Sequence, residues 1–269
     1  MNPSTPIPVT RLRDGVAEEP VLDAVATEEP LEIRIEGRAI AVIMRTPGHD
    51  EDLAAGFLLT ENVLKHADEL FEISVCPSHS EGRGNVADVL LAGVNVDWDS
   101  LTRHVFTSSS CGVCGKASVD AVFQSFPKVK ADWHVDSKII EGMPAKLRAK
   151  QSAFEQTGGL HASGLFDLAG NLLVVREDVG RHNALDKVLG FALREYLLPL
   201  SRCMLMVSGR VSFEIMQKAL AAGIPFVAAV SAPSSLAVQF AQESGQTLVG
   251  FLRGDRMNVY AGAARIIHS

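Results

Sequence analysis

Apolar residues alternate with polar ones at Leu31, Ile33 and Ile35, and that period of two predicts a half-buried strand over Leu31–Ile35. A strand signal precedes it at Val21–Ala26, and Gly37-Arg38 turns the chain into another at Ala39–Met44. The period then changes. After Thr46-Pro47-Gly48-His49-Asp50, the residues Leu53, Ala54, Phe57, Leu58 and Leu64 recur at helical spacing as one apolar stripe. Short strands are expected next at Phe71–Cys76, Val86–Leu91 and His104–Thr107. Hairpin, helix and further strands make a small α+β lobe over residues 21–135. Residues 1–20 hold Pro3, Pro6, Pro8 and the acidic Glu18-Glu19-Pro20, and read as a flexible arm.

The second lobe, residues 136–269, has a different rhythm. A helix is expected from Pro144 to about Glu155, stopped by Thr157-Gly158-Gly159. Strands at Leu160–Phe166 and Leu172–Arg176 form a hairpin turned by Ala169-Gly170-Asn171. The helix Asn183–Tyr196 follows, with Leu185, Val188, Leu189, Ala192 and Leu193 on one face. Strands Cys203–Val207, Pro225–Val230 and Leu248–Leu252 then alternate with helices Phe213–Ala222 and Leu236–Glu243, and a strand at Arg256–Tyr260 closes the pattern. Near-continuous apolar strands between amphipathic helices indicate an α/β sheet covered on both faces. The expected class is therefore α/β in the second lobe and α+β for the chain as a whole.

Composition narrows the function classes. With 269 residues, 47% of them hydrophobic, the chain can bury a large core. A net charge of −7 argues against a nucleic-acid surface, so any anionic ligand must meet a local arginine cluster. Four cysteines (Cys76, Cys111, Cys114, Cys203) are too few for a disulfide scaffold, and Cys76 and Cys203 read as core thiols. The polar, proline-rich start of the chain does not read as a signal peptide, and no apolar run approaches the ~20 residues a membrane helix requires. A soluble, cytoplasmic protein is expected.

The chemistry concentrates in a few segments. Ser110-Cys111-Gly112-Val113-Cys114-Gly115 places two thiols ahead of a helical run from Lys116 to Phe123. A helix start favours a thiolate, so Cys111 and Cys114 are candidates for nucleophilic sulfur chemistry, with Ser110 a ready N-cap. Half of a zinc site, a redox pair or incidental thiols are the alternatives on the motif alone. In the second lobe, Ser208-Gly209-Arg210 and Ser231-Ala232-Pro233-Ser234-Ser235 each lie between a strand and a helix, where phosphates bind in open α/β sheets. Such turns also serve as ordinary caps. Phe251-Leu252-Arg253-Gly254-Asp255-Arg256 presents two arginines and a carboxylate around a turn, suited to phosphate and to the N1–H and N2–H₂ of guanine. Arg176, Arg181 and Arg210 are further candidates for a pyrophosphate-bearing ligand. His161-Ala162-Ser163 approaches the H-x-E of zinc deaminases, but serine replaces the glutamate and the CxxC precedes the histidine. No metal site is expected. Walker A, G-x-G-x-x-G and G-x-S-x-G motifs are absent.

Taken together, Ser109–Gly115, Thr157-Gly158-Gly159-Leu160-His161, the run from Arg176 to Lys187, Ser208-Gly209-Arg210 and Phe251–Arg256 resemble the FdhD family over nearly the whole chain after about residue 20. The resemblance implies a cytidine-deaminase-like three-layer α/β second lobe behind the small α+β lobe. It also implies a sulfurtransferase. Sulfur is taken as a persulfide from a cysteine desulfurase and passed to the molybdenum bis(molybdopterin guanine dinucleotide) cofactor of formate dehydrogenase. Cys111 corresponds to the expected carrier, Cys114 is its companion, and Phe251, Leu252, Arg253, Gly254, Asp255 and Arg256 correspond to the cofactor-binding run, for which GDP is a mimic. A homodimer is expected. The competing readings are a structural or regulatory zinc-binding module using the CxxC, and a dithiol oxidoreductase.

Overall fold

The computed structural model describes residues 2–76, 85–98, 101 and 126–268. The expected strand at His104–Thr107, the helix at Lys116–Phe123 and both CxxC cysteines lie outside the described residues.

Strands β1 (Ser4–Val9), β2 (Leu12–Arg13), β3 (Val16–Ala17) and β4 (Val21–Ala26) come first. β1 pairs antiparallel with β4, so the expected flexible arm is instead half of a two-stranded ribbon. Pro6 and Pro8 permit this because they are two residues apart. Both remove a donor from the same edge of β1, and a ribbon leaves one edge open. The ribbon is lightly buried, with Leu12, Val16 and Leu22 each about two-thirds exposed or more (73%, 68% and 72%).

Next come β5 (Glu29–Ile35), β6 (Arg38–Arg45), α1 (Asp50–Thr60), β7 (Leu70–Cys76) and β8 (Val86–Leu91). They give a four-stranded sheet in the order β6-β5-β8-β7. Helix α1 departs from the expected single stripe. Every residue from Asp52 to Thr60 is buried, as befits a helix enclosed on all sides. Its second neighbour is a helix of the other half of the chain.

That half contains β9 (Val135–Asp136), α2 (Ser137–Arg148), α3 (Ser152–Thr157), β10 (His161–Asp167), β11 (Leu172–Asp178), α4 (Arg181–Arg194), β12 (Cys203–Val207), α5 (Phe213–Ala221), β13 (Phe226–Ala229), α6 (Ser235–Ser244), β14 (Thr247–Arg253), β15 (Arg256–Ala261) and β16 (Ile266–Ile267). The helix expected from Pro144 to Glu155 is thus two helices. The first begins seven residues earlier, with Asp136 capping the Lys138 N–H at 2.8 Å, and carries Pro144 in its interior. Three apolar side chains of α2 (Ile140, Met143, Leu147) are buried, and that packing outweighs the hydrogen bond the proline removes.

The main sheet has six strands in the order β11-β10-β12-β13-β14-β15, with β12, β13 and β14 parallel and the outer pairings antiparallel. Its alternation builds two cores. Leu165, Leu205, Val207, Val227 and Leu248 face a cluster shared with α1, α4, α5 and α6. Phe166, Met204, Met206, Phe226 and Val249 face a second cluster with α2, Trp133 and Ile266. The mixed α/β class read from the pattern is what the structure has.

The expected division at residue 135 does not coincide with a break. β9 pairs with β16 at the far end of the chain, the Trp133 indole N–H donates to the Ser201 carbonyl (2.8 Å), and Val129 N–H donates to Ser244. The first core cluster also runs without interruption from Leu31 and Leu53 to Leu189 and Leu248. Where α1 crosses α4, Gly56 and Gly190 face each other. A Cβ on Gly56 would lie 1.8 Å from the Asp186 carbonyl oxygen, and one on Gly190 1.8 Å from that of Asp52.

Candidate functional site

The carboxyl ends of the parallel strands form one continuous rim. Val211, just after Ser208-Gly209-Arg210, donates to the Ala232 carbonyl and accepts from Ser234. Ser231 in turn accepts from the Phe251 N–H. Ser234 caps α6 by accepting from Ala237 N–H at 3.2 Å, and the Ser208 hydroxyl accepts from Ala162 N–H at 2.8 Å. Those serine side chains are therefore engaged locally, and the turns they hold are fixed side by side.

The Phe251–Arg256 segment ends this rim as the β14–β15 hairpin. Gly254 opens its two-residue loop at φ 58, a conformation glycine adopts at little cost and tight hairpins require. A β-bulge lies between Gly250 and Arg253, and in it Phe251 takes φ 51 while its ring stays 40% exposed. The bulge turns the ring outward, whereas neighbouring Leu252 is fully buried. Arg253 and Arg256 are directly paired across the hairpin. Like charges opposite one another destabilise a ladder, yet Arg253, Asp255 and Arg256 make no hydrogen bond or ion pair among the described residues. These groups, with Phe251, Met257 and Asn258, line an open concavity of about 580 Å³. Two uncompensated guanidiniums, one carboxylate and an exposed ring suit an anionic, aromatic ligand.

The run Arg176–Lys187 does different work. Lys187 is 1% exposed and pairs with Asp178, itself fully buried, at 2.7 Å. Burial lowers the lysine pKa, and Asp178 opposes that shift. Asp178 also accepts from the backbone of Thr46 and Gly180 and from the Asn183 amide, while Asn183 donates to the Met44 carbonyl. Glu177 accepts from Ala153 and Phe154 N–H at the start of α3. Asp186 meets Lys218 at 2.8 Å and Thr60, and burial raises its pKa against the pull of Lys218. Arg176, expected to face a phosphate, forks onto Asp52 at 2.8–2.9 Å. It is therefore a tie between the halves of the chain.

Burial, then Arg181 and Arg210, lower the His161 pKa, and Gly209, next to Arg210, approaches both His161 and Arg181. The sequence pointed to His161 only through its comparison with deaminases. His182, which joins the same cluster, carried no signal beyond its place in a polar run. Cys203 is half-buried, with its thiol pKa raised by desolvation and by Asp167. Cys76, expected in the core, is exposed at the end of β7, because its alternate position faces away from the buried side of the sheet. Among the described residues, no group of three or more His, Cys, Asp or Glu side chains is placed to hold a metal ion.

A sequence profile of the FdhD/NarQ family matches residues 26–267. The chain belongs to that family. A protein of Streptomyces avermitilis named sulfur carrier protein FdhD is 54% identical, with 96% of this chain and 94% of its own covered. The protein of that name from Mycobacterium tuberculosis is 52% identical over 91% of this chain and 92% of its own. A crystal structure from Desulfotalea psychrophila, described as that of a formate dehydrogenase accessory protein, superposes with a TM-score of 0.80. It is 28% identical, with 99% of this chain and all of the other covered. FdhD relatives are therefore similar from the first sheet to the last strand, and the likeness is not confined to one half.

Proposed function

We propose that this protein is a sulfur carrier that serves formate dehydrogenase. Its membership of the FdhD/NarQ family and its high identity to proteins named sulfur carriers support that reading. In the finer reading, Cys111 is the acceptor. Its thiolate attacks the outer sulfur of a persulfide on a cysteine desulfurase, forming Cys111–S–SH as the donor cysteine leaves as thiolate. The outer sulfur then passes to the molybdenum bis(molybdopterin guanine dinucleotide) cofactor, the substrate; Cys111 leaves as thiolate, a reduced metal centre of the substrate would supply the two electrons that make the sulfur a sulfide, and the cofactor goes on to formate dehydrogenase. Cys114, three residues on, is placed by sequence to assist the transfer.

The observation that carries the cofactor side is the cross-strand juxtaposition of Arg253 and Arg256 around Asp255, none of whose side chains has a hydrogen-bond or ion-pair partner among the described residues, at an open concavity. The guanidiniums suit phosphate, the carboxylate suits the donor edge of guanine, and the Phe251 ring offers a stacking face. GDP is the accessible mimic.

Mass spectrometry of the protein after incubation with a cysteine desulfurase and cysteine tests the sulfur step. One added sulfur, mapped to Cys111 and lost in Cys111→Ser, is the expected result. An unmodified Cys111, or a variant that still supports cofactor sulfuration at the parent rate, removes the assignment. Stoichiometric zinc that survives dialysis and whose removal unfolds the protein would favour a structural zinc module.

A further inference from the structure

At the opposite end of the same rim lies a second cationic cluster. His161 begins β10, and Gly209, in the turn after β12, approaches it so closely that a Cβ there would sit 3.1 Å from His161 Nδ1 and 3.9 Å from the Arg181 Cβ. Arg181 and His182 open α4, whose first turn has no side-chain cap. The His182 Nε2 lies 3.3 Å from the hydroxyl of Ser212, the residue that starts α5. Thus two histidines, two arginines and the starts of two helices meet in one place.

Three groups there are unused. Arg181 makes no hydrogen bond or ion pair among the described residues, and its Nε is buried. Arg210 makes none either, and is exposed. Ser163 lies two residues from His161 on the same face of β10, is 1% exposed, and its hydroxyl has no partner among the described residues. A buried, unpartnered hydroxyl and a half-buried, unpaired guanidinium each cost stability. An oxyanion bound at this cluster would offset the cost at Arg181.

Local charge points the same way. The Lys218–Asp186 and Lys187–Asp178 pairs are internally balanced, which leaves Arg181 and Arg210 against Glu214. Glu214 is held ionised: burial pushes its pKa up, but hydrogen bonds from Ser212 and its backbone, with His182 and Arg181 nearby, bring it below its ordinary value. His182 is driven down to about 4 by burial, then Arg181 and Lys218, with Glu214 opposing and His161 adding to the shift. His161 is lowered by burial, Arg181 and Arg210, against Asp178. Both rings are therefore held towards the neutral form, and an arriving anion would oppose the field that keeps them so.

We propose that His161, Arg181, His182 and Arg210, with the Ser163 hydroxyl, form a subsite for a diphosphate group, and that a histidine takes up a proton as the anion binds. The subsite rests on the reading of this rim as the cofactor-binding edge and extends it. β10, β12, β13 and β14 are neighbours in the sheet, so the row from His161 past Ser208–Arg210 and Ser231–Ser234 to Phe251 spans three strand steps, roughly 14 Å.

Calorimetric titration of the full-length protein with inorganic pyrophosphate, in two buffers of different ionisation enthalpy at pH 7, tests the subsite without the base. The parent should bind with net proton uptake. Arg181→Gln and Arg210→Gln should each weaken binding about tenfold or more. His161→Gln and His182→Gln together should remove the proton uptake. Arg202→Gln, at an exposed arginine just before β12 and so at the other end of that strand, should leave pyrophosphate affinity unchanged. Failure of the parent to bind, affinity unchanged in both arginine variants, or binding without proton uptake overturns the proposal. GDP titrations separate the two readings: GDP affinity insensitive to Arg256→Ala and Asp255→Asn at the hairpin but sensitive to Arg181→Gln and Arg210→Gln removes the hairpin site and leaves this one standing.

Discussion

Two charged segments, Arg176–Lys187 and Phe251–Arg256, look alike as strings of residues, yet most of the charged groups of the first do the opposite of those of the second. In the first, Arg176, Asp178, Asn183, Asp186 and Lys187 are each matched to a partner, and most partners lie in α1 or the loop before it. In the second, Arg253, Asp255 and Arg256 are matched to nothing among the described residues. Charge that is buried and paired holds the halves of the chain together. Charge that is exposed and set against its own sign is left for a ligand.

Breaking the inner segment should have the largest effect. Lys187→Ala strands the buried Asp178 carboxylate without its cation, and we expect a loss of about 3–5 kcal/mol in chemical denaturation. A loss below about 1 kcal/mol would mean that water reaches the pair. Gly56→Ala asks whether that segment also needs the close crossing of α1 and α4. The added methyl meets the Asp186 carbonyl at 1.8 Å, so a cost of roughly 1–3 kcal/mol should exceed the helix-propensity gain of up to ~1 kcal/mol. A variant as stable as the parent would show that the helices can slide apart.

The next effect depends on pH. His182 has a folded-state pKa near 4, below its ordinary 6.5, so the unfolded chain binds the proton first as pH falls. Its contribution to stability is complete above about pH 6.5 and is lost progressively towards pH 4. Stability curves of the parent and of His182→Gln should converge over that interval; parallel curves would contradict the shift. The smallest effect on the fold belongs to the outer segment. Arg256→Ala should leave the unfolding midpoint within about 0.5 kcal/mol of the parent while weakening GDP binding about tenfold. Destabilisation beyond that, with GDP affinity unchanged, would make the hairpin a structural element after all.

Much of the architecture was legible because periodicity is local. Val21–Ala26, Val86–Leu91 and Cys203–Val207 have the bounds their patterns gave, and the hairpin around Gly170 is where its turn residues put it. What failed depends on partners distant in sequence. Nothing near Pro144 announces that buried Ile140, Met143 and Leu147 will hold a helix around it, and nothing near Pro6 announces β4. The site divides in the same way. Arg253, Asp255 and Arg256 could be picked out because a short turn cannot bury them. The bulge that turns Phe251 outward could not, since it depends on a mismatch in count between β14 and β15. Arg176 misled because its partner, Asp52, lies 124 residues away.

The distance between those partners has a consequence during synthesis. Thr46 waits for Asp178, 132 residues downstream, and α1 waits for α4. At ordinary rates of translation that interval is on the order of ten seconds, during which the nascent first half carries an apolar helix with no second wall to rest on. The nascent chain is therefore vulnerable to aggregation until α4 has emerged, and shielding by a chaperone would matter most over that stretch of the message. A gene truncated before residue 181 would express a segment held permanently in that state.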